Sequence, residues 1–225
     1  MSSEVLPSIE METGHNPTAA VIWLHGLGAD GNDFVPIVGE MRLPATPAIR
    51  FVFPHAPVRP VTLNNGFRMR AWYDIAAGDI TSRADVAGVR ESQGHVEALI
   101  AREKARGIVA KRIVLAGFSQ GGVVALHTGV RHPERLAGIV ALSTYLPLQE
   151  RTAAERSTAN ASVPIFMAHG SVDPVVPQAL GSASRDALAA LGYDVAWHSY
   201  PMAHQVCAQE IADLQHWIGA RLAAC

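Results

Sequence analysis

The sequence predicts an α/β fold in which helices cover both faces of a mostly parallel sheet. Short, almost continuously apolar runs alternate with longer segments of helical period, and this alternation is typical of such a fold. The chain has 225 residues, which is enough for one well-buried core and short for two. We therefore expect a single domain over residues 1–225, with residues 1–18 forming an N-terminal extension or a first strand.

The apolar runs are rich in valine and isoleucine, as expected of strands that are buried on both faces. Parallel strands need crossover helices between them, and those helices pack on the two faces of the sheet. The predicted strands are Ala19–His25, Ile49–Phe53, Arg112–Gly117, Gly138–Leu142, Pro164–Ala168 and Asp194–Tyr200.

The longer segments place apolar side chains along one helical face. In the last of them, Ile211, Leu214 and Ile218 share such a face. The predicted helices are Arg83–Arg106, Gln120–Arg131, Gln178–Leu191 and Gln205–Leu222.

Two segments between these elements are irregular. Residues 54–82 are longer than a simple connector, and because long loops in compact domains tend to be functional, we expect this one to shape a pocket. Residues 143–163 are too short to hold a folded cap domain, so an active site should lie fairly open.

Composition and charge exclude several classes of function. The formal net charge is -2 with 17% charged residues, which gives no basic patch for nucleic acid. The N-terminus is acidic where a signal peptide is basic, and no apolar run approaches the roughly 18 residues of a membrane span. Cys207 and Cys225 lie too far apart in sequence to suggest a metal cluster, and no disulfide framework is expected. We expect a cytoplasmic protein without a metal or cofactor.

The stretch "GFSQGG", Gly117 to Gly122, carries the strongest chemical signal. A Gly-x-Ser-x-Gly match alone is weak, since about 0.1 such matches arise by chance in a sequence of this size and composition. Here the match follows a predicted strand and opens a predicted helix, the setting in which Ser119 would be an exposed nucleophile. The alternative is an ordinary small residue at a strand end.

A serine nucleophile needs a histidine base on a later loop. His204, in "YPMAHQ", follows the last predicted strand and lies at the sheet edge where ligands bind. His198 falls within that strand and is better explained by packing. The remaining histidines considered fall in or next to helices, where surface or packing roles are expected: His95, His127, His132 and His216.

The base in turn needs an acid that fixes its tautomer. Asp173 lies just past a predicted strand, in a loop stiffened by two prolines, whereas Asp186 and Asp194 are better explained by solvent exposure. The chain order Ser119, Asp173, His204 is the order of α/β-hydrolase triads.

An acyl-transfer site also needs two donors for the oxyanion. One would be the backbone N–H of Gln120, and the other the N–H of Leu27 in the glycine-rich stretch "WLHGLGADGNDF". Taken alone, this stretch is equally explained as a turn before a helix, with Asp30 or Asn32 as its cap. It matches neither phosphate-binding pattern, G-x-G-x-x-G or G-x-x-x-x-G-K-[ST].

Together, "LHGLGADGNDF", "RAWYDI", "GFSQGG", "HGSVDPVVP" and "AHQ" closely resemble the carboxylesterase and acyl-protein thioesterase family of small α/β-hydrolases. The resemblance runs from about Val21 to the C-terminal helix. It implies the triad and oxyanion donors named above, and it suggests that Leu63, Trp72 and Val175 line an acyl-binding groove. Arg70 stands where many relatives have proline, which could alter the preference for the leaving group. Members of the family often form homodimers, and this sequence neither supports nor excludes a homodimer.

The activity expected on these grounds is that of a serine carboxylesterase that hydrolyses short- to medium-chain acyl esters. An acyl-protein thioesterase or a lysophospholipase would use the same triad and remains the alternative. A non-catalytic binding protein would have no need of both glycine turns and the triad, and it is disfavoured. A cofactor-free perhydrolase or transferase would differ only in the acceptor that replaces water.

Overall fold

A computed structural model describes residues 5–43, 47–76 and 85–223 of the chain. Its strands are β1 (Ser8–Glu12), β2 (Ala19–Leu24), β3 (Ile49–Pro54), β4 (Val58–Val61), β5 (Phe67–Arg70), β6 (Ile113–Phe118), β7 (Gly138–Leu142), β8 (Ile165–Gly170) and β9 (Val195–Tyr200). Its helices are α1 (Val35–Glu40), α2 (Val86–Ala105), α3 (Gln120–Arg131), α4 (Gln149–Glu155), α5 (Gln178–Ala190) and α6 (Ala208–Ala223).

Within the described residues, seven strands form the central sheet in the order β1-β3-β2-β6-β7-β8-β9. Neighbouring strands are parallel except β1, which pairs antiparallel with β3 so that Ile9 lies opposite Phe53. All six predicted strands are present, with bounds that differ by no more than two residues at either end. The α/β-hydrolase fold class is therefore confirmed.

The buried faces of the sheet explain why its strands read as continuous apolar runs. In β2, Ala20, Ile22 and Leu24 join the core on one face, while Val21 and Trp23 join the core on the other. Helices α2, α3 and α5 cover the first face, and α1 and α6 cover the second. Alternate side chains of β2 thus enter different apolar layers, so this strand has no polar position.

Helix predictions agree with the structure except at some ends. Arg83, the predicted first residue of α2, lies outside the described residues. The last helix begins at Ala208 and not at Gln205, because residues 203–207 form a turn in which the Gln205 N–H donates to the Ala203 carbonyl. The loop that carries His204 is consequently longer than expected. Among the described residues, no helix has the length and apolar character needed to cross a membrane.

The long segment at residues 54–82 is more ordered than the sequence suggested. It contains the antiparallel hairpin of β4 and β5, whose turn places Asn65 and Gly66 at φ 54° and 77°. Each strand has only four residues and β4 contains Pro60, so the alternation that identifies a hairpin is weak. Residues 77–82 of this segment lie outside the described residues.

Candidate active site

Ser119 occupies a strained backbone position between β6 and α3. Its φ of 54° and ψ of -119° lie in a region that L residues rarely adopt, at a cost of about 1–3 kcal/mol. Three hydrogen bonds hold it there: its N–H donates to the Leu142 carbonyl at 2.8 Å, and its carbonyl accepts from Thr144 Oγ1 at 2.7 Å and from the Val123 N–H at 3.2 Å. The hydroxyl is thereby presented at the carboxyl ends of the strands.

The glycines around Ser119 are required by close packing. A Cβ atom on Gly117 would lie 2.3 Å from the backbone of Gly121, and one on Gly121 would lie 2.3 Å from the Leu24 carbonyl oxygen. Both contacts are with backbone atoms, which cannot move aside as a flexible side chain can. The sequence "GFSQGG" therefore allows α3 to pack directly against β2 and β6.

His204 connects Ser119 to Asp173 through two short hydrogen bonds. Its Nε2 lies 2.9 Å from Ser119 Oγ, and its Nδ1 lies 2.7 Å from Asp173 Oδ2. Since an ionised carboxylate can only accept, the Nδ1–H donates to it, and Nε2 is left free to accept from the serine hydroxyl. The Phe118 ring packs beside the imidazole, with ring centroids 4.7 Å apart.

The two oxygens of Asp173 have separate partners. Oδ1 accepts from the backbone N–H groups of Val175 and Val176 at 2.8 and 2.9 Å, which leaves Oδ2 for His204. The carboxylate is fully buried, so these donors replace the water that would otherwise solvate its charge. The turn over residues 173–176 thus determines the direction of the carboxylate.

A second buried histidine supports this turn. His169 Nε2 lies 2.8 Å from the Val176 carbonyl, to which it must donate, and 3.6 Å from Asp173 Oδ2. Burial lowers the pKa of His169 below its ordinary value, which favours a neutral ring. The role of His169 was not predictable from the sequence, since a histidine inside an apolar strand is more often a packing residue.

Leu27 and Gln120 present backbone N–H groups that have no acceptor among the described residues. The turn beside Leu27 is held by Gly28, which has φ 77° and donates its N–H to the Arg70 carbonyl at 2.9 Å. Asp30 closes this turn by accepting from Asn32 at 2.7 Å; it does not cap α1, which lacks a side-chain cap. Free amides at a turn and at a helix N-terminus can bind a developing negative charge.

His25 stabilises the same turn from below. Burial lowers the pKa of His25 to about 4, so the ring is neutral at physiological pH. Its Nδ1 donates to the Gly26 carbonyl at 2.7 Å, and its Nε2 accepts from the Ala56 N–H at 3.1 Å. Arg70 also contacts this region, since its guanidinium donates to the Ala56 carbonyl at 2.9 Å. The arginine at position 70, where many relatives have proline, therefore places a cation next to the glycine-rich turn.

The side chain of Gln120 joins the nucleophile turn to the "AWYD" segment. Its Oε1 accepts from the Trp72 N–H at 2.7 Å, and its Nε2 donates to the Tyr73 carbonyl at 2.8 Å. One residue thus offers a free backbone amide to the site and clamps a neighbouring loop with its side chain. Only the first of these roles was predictable from the sequence.

A small apolar cleft opens beside Ser119, and we call it the first cleft. Its volume is about 80 Å³. It is lined by Leu27, Leu63, Tyr73, Ile75, Ser119, Gln120, Tyr145, Val175 and Val176. Leu63 and Val175, two of the three residues that the resemblance suggested for an acyl groove, are thus placed beside Ser119.

Trp72 does not line this cleft, contrary to expectation. Its side chain is fully buried, and its Nε1 donates to the His25 carbonyl at 2.9 Å. This carbonyl lies beneath the glycine-rich turn, so the Trp72 ring packs there and not in the cleft. Tyr73 and Ile75 line the cleft instead. Large aromatic residues often lie in the core, so the sequence alone does not indicate which of Trp72 and Tyr73 faces the cleft.

A larger cleft lies on the other side of His204, between α1 and the start of α6, and we call it the second cleft. Its volume is about 380 Å³. It is lined by Asp33, Phe34, Pro36, Ile37, Glu40, Phe118, His204, Gln205, Val206 and Ile211. The two clefts share no residue and meet at the Ser119 and His204 pair.

No group of three or more histidine, cysteine, aspartate or glutamate side chains in the described ranges is arranged to hold a metal ion. Asp186 pairs with Arg185 at the surface and Asp194 is exposed, which is the solvent exposure expected for both.

Comparison with known proteins finds the same architecture elsewhere. The family model described as "Phospholipase/Carboxylesterase" matches residues 7–222. An acyl-protein thioesterase 1 from Neurospora crassa is 42% identical over 214 residues, covering 91% of this chain and 87% of the relative. Another from Yarrowia lipolytica is 38% identical over 217 residues, covering 94% and 96%.

Solved structures agree with these matches. SOBER1 from Arabidopsis thaliana superposes with a TM-score of 0.85 at 30% identity, covering 91% of this chain and 99% of that one. Acyl-protein thioesterase 2 from Zea mays gives a TM-score of 0.84 at 30% identity, covering 96% and 99%.

Proposed function

The chain belongs to the phospholipase/carboxylesterase family, a family of hydrolases, and we propose that it cleaves acyl esters and thioesters through a covalent acyl-enzyme on Ser119. The observation that carries the proposal is the hydrogen-bonded path from Asp173 through His204 to a serine in strained backbone geometry. In such a path the aspartate orients the histidine, and the histidine takes the proton of the serine.

In the first half of the proposed reaction, Ser119 Oγ attacks the acyl carbonyl while His204 Nε2 takes its proton. The carbonyl oxygen becomes an oxyanion, which the amides of Leu27 and Gln120 stabilise. The bond from the carbonyl carbon to the leaving oxygen or sulfur then breaks, and His204 gives its proton to that atom. Asp173 stabilises the imidazolium throughout.

In the second half, water attacks the acyl-enzyme and His204 takes a proton from it. The bond between Ser119 Oγ and the carbonyl carbon breaks, the proton returns to Oγ, and a carboxylic acid leaves. The same two amides stabilise the second oxyanion. Neither half requires a group from outside the chain other than substrate and water.

For the acyl group, we propose short to medium chains. The first cleft, at about 80 Å³, is small beside the ~300–1,000 Å³ of pockets that enclose drug-sized ligands. It is apolar and opens at Ser119, so an acyl chain would enter it with its carbonyl near the free amides. These observations favour a carboxylesterase.

A second candidate is an acyl-protein thioesterase, which the names of the relatives at 37–42% identity support. A lysophospholipase would use the same chemistry, and the family description includes phospholipases. The alternatives differ in chain length and leaving group, and an ester series from acetyl to palmitoyl, with a palmitoyl thioester and a lysophospholipid beside it, separates them. Highest kcat/KM on short esters supports the first candidate, and highest kcat/KM on the long thioester supports the second.

The decisive variant is Ser119→Ala. We expect kcat to fall by about 10³-fold or more, because no other group can form the acyl-enzyme, while the Tm stays close to that of the wild type. A fluorophosphonate probe should label the wild type and not the variant.

Ser182→Ala is a matched control, since this half-buried serine of α5 donates only to the Ala179 carbonyl of its own helix. It should keep full activity and labelling. Near-normal turnover by Ser119→Ala, or labelling elsewhere, would overturn the proposal. Product analysis with peroxide or alcohol present distinguishes hydrolysis from acyl transfer to another acceptor.

A further inference from the structure

The second cleft has a place in the reaction that follows from the position of His204. The imidazole must reach the leaving atom in order to protonate it, so the leaving group has to lie against His204. His204 lines the second cleft and not the first, whereas Ser119 and the two free amides line the first. The acyl group and the leaving group would therefore occupy different clefts.

The floor of the second cleft is apolar and aromatic. Phe34 and Phe118 pack against each other with ring centroids 5.5 Å apart, and Phe118 also packs against His204. Ile37 and Ile211 come from the two helices that form the walls. Such a floor suits the hydrocarbon part of a leaving group, and aromatic faces also attract cations.

The rim of the second cleft is negative. Asp33 and Glu40 line it and are both exposed, and within the described residues neither forms an ion pair. Desolvation at the rim of the cleft and repulsion from the nearby Asp30 carboxylate raise the pKa of Asp33. A bound cation would relieve this repulsion.

We propose that the second cleft is the leaving-group site and that Asp33 and Glu40 select alcohols or thiols carrying a positive charge. The inference rests on the proposed function, since it assumes that His204 protonates the leaving atom. An apolar linker would lie over Phe34 and Phe118, and the charged end would reach the two carboxylates at the rim.

The test compares two octanoyl thioesters that differ only in the charge of the leaving thiol. One is the thioester of thiocholine, and in the other a tert-butyl group replaces the trimethylammonium group. The enzymes are the wild type, the double variant Asp33→Asn/Glu40→Gln, and the double variant Asp186→Asn/Asp194→Asn, which removes the same charge from exposed positions outside both clefts. The readout is the ratio of the two kcat/KM values.

The wild type should prefer the cationic thioester by about 5-fold, the size of effect that partly exposed charge pairs produce. The ratio should fall to about 1 in Asp33→Asn/Glu40→Gln and stay at the wild-type value in Asp186→Asn/Asp194→Asn. Raising the ionic strength should also lower the wild-type ratio, since the carboxylates are exposed.

Two failures are distinguishable. If the wild type cleaves both thioesters with equal kcat/KM, or if Asp33→Asn/Glu40→Gln keeps the preference, the inference is wrong and the proposed function stands. If the wild type cleaves neither thioester and Ser119 is not labelled by a fluorophosphonate, the proposed function fails and the inference fails with it.

Discussion

At the scale of single residues, the geometry of the site depends on which partner each polar atom binds. Asp173 gives one oxygen to two backbone amides and the other to His204, so its orientation is set before the imidazole is considered. His204 in turn has one nitrogen for the acid and one for Ser119. The sequence indicated these three residues because each follows a strand at the same sheet edge. It gave no sign of how the Asp173 oxygens are shared, since the donors are backbone amides of Val175 and Val176.

The substitution Asp173→Asn tests this division. If Oδ1 keeps its two amide donors, the new NH₂ group faces His204 and forces Nδ1 to accept, which places the imidazole proton on Nε2. His204 then cannot take the serine proton, and we expect kcat to fall by about 10³- to 10⁴-fold, as in serine proteases with the same change. Steady-state hydrolysis of an activated ester measures this fall in kcat. The surface substitution Asp186→Asn should leave kcat unchanged. A loss of kcat below 10-fold in Asp173→Asn would show that the orientation of His204 does not depend on this acid.

At the scale of elements, the site is assembled where several loops meet the start of α3. The strands and main helices were predictable because continuous apolar runs and helical periods are strong signals, as β7, Gly138–Leu142, illustrates. The hairpin of β4 and β5 was not predictable, because short strands of which one contains proline lack a clear alternation. The clamp from Gln120 to Trp72 and Tyr73 was equally hidden, since it joins residues 47 and 48 positions apart in the chain.

Gln120→Ala tests the clamp without removing the backbone amide. Loss of the side chain leaves the buried Trp72 N–H and Tyr73 carbonyl without their partner, which we expect to lower the free energy of unfolding by about 2–4 kcal/mol. Because Tyr73 lines the first cleft, kcat/KM should fall as well. Urea unfolding and ester hydrolysis measure the two effects. Gln209→Ala, on the exposed face of α6, should change neither, and an unchanged stability of Gln120→Ala would contradict the clamp.

At the scale of the whole molecule, buried ionisable groups limit the pH range over which the fold is stable. Burial lowers the pKa of His127 to about 3, whereas the unfolded chain takes up this proton near pH 6.5, so stability is lost as the pH falls between these values. Burial raises the pKa of Glu210 to about 8, with the Asp213 carboxylate adding to the effect. Since the ordinary pKa of a glutamate is 4.5, the folded state holds a proton that the unfolded state releases, and stability is lost as the pH rises from 4.5 to 8.

The substitution Glu210→Gln should remove the loss on the alkaline side. Between pH 5 and pH 8 the wild type loses about 1.4 kcal/mol per pH unit through this group, and the glutamine variant does not. The Tm of the variant relative to the wild type should therefore rise from pH 5 to pH 8. Differential scanning calorimetry at several pH values measures this difference. Glu150→Gln, at an exposed site in α4, is the control, and a difference that stays constant with pH would mean that Glu210 does not titrate in this range.

The two clefts that meet at Ser119 also offer a route to inhibitors of unusual selectivity. A fragment with an apolar tail could occupy the first cleft while a cationic fragment occupies the second, because the clefts share no residue. Joining the two through a group that reacts with Ser119 would make the second binding event intramolecular, so that two weak fragments combine into one tight ligand. Hydrolases that share the nucleophile turn and only one of the two clefts would bind one half of such a molecule and reject the other.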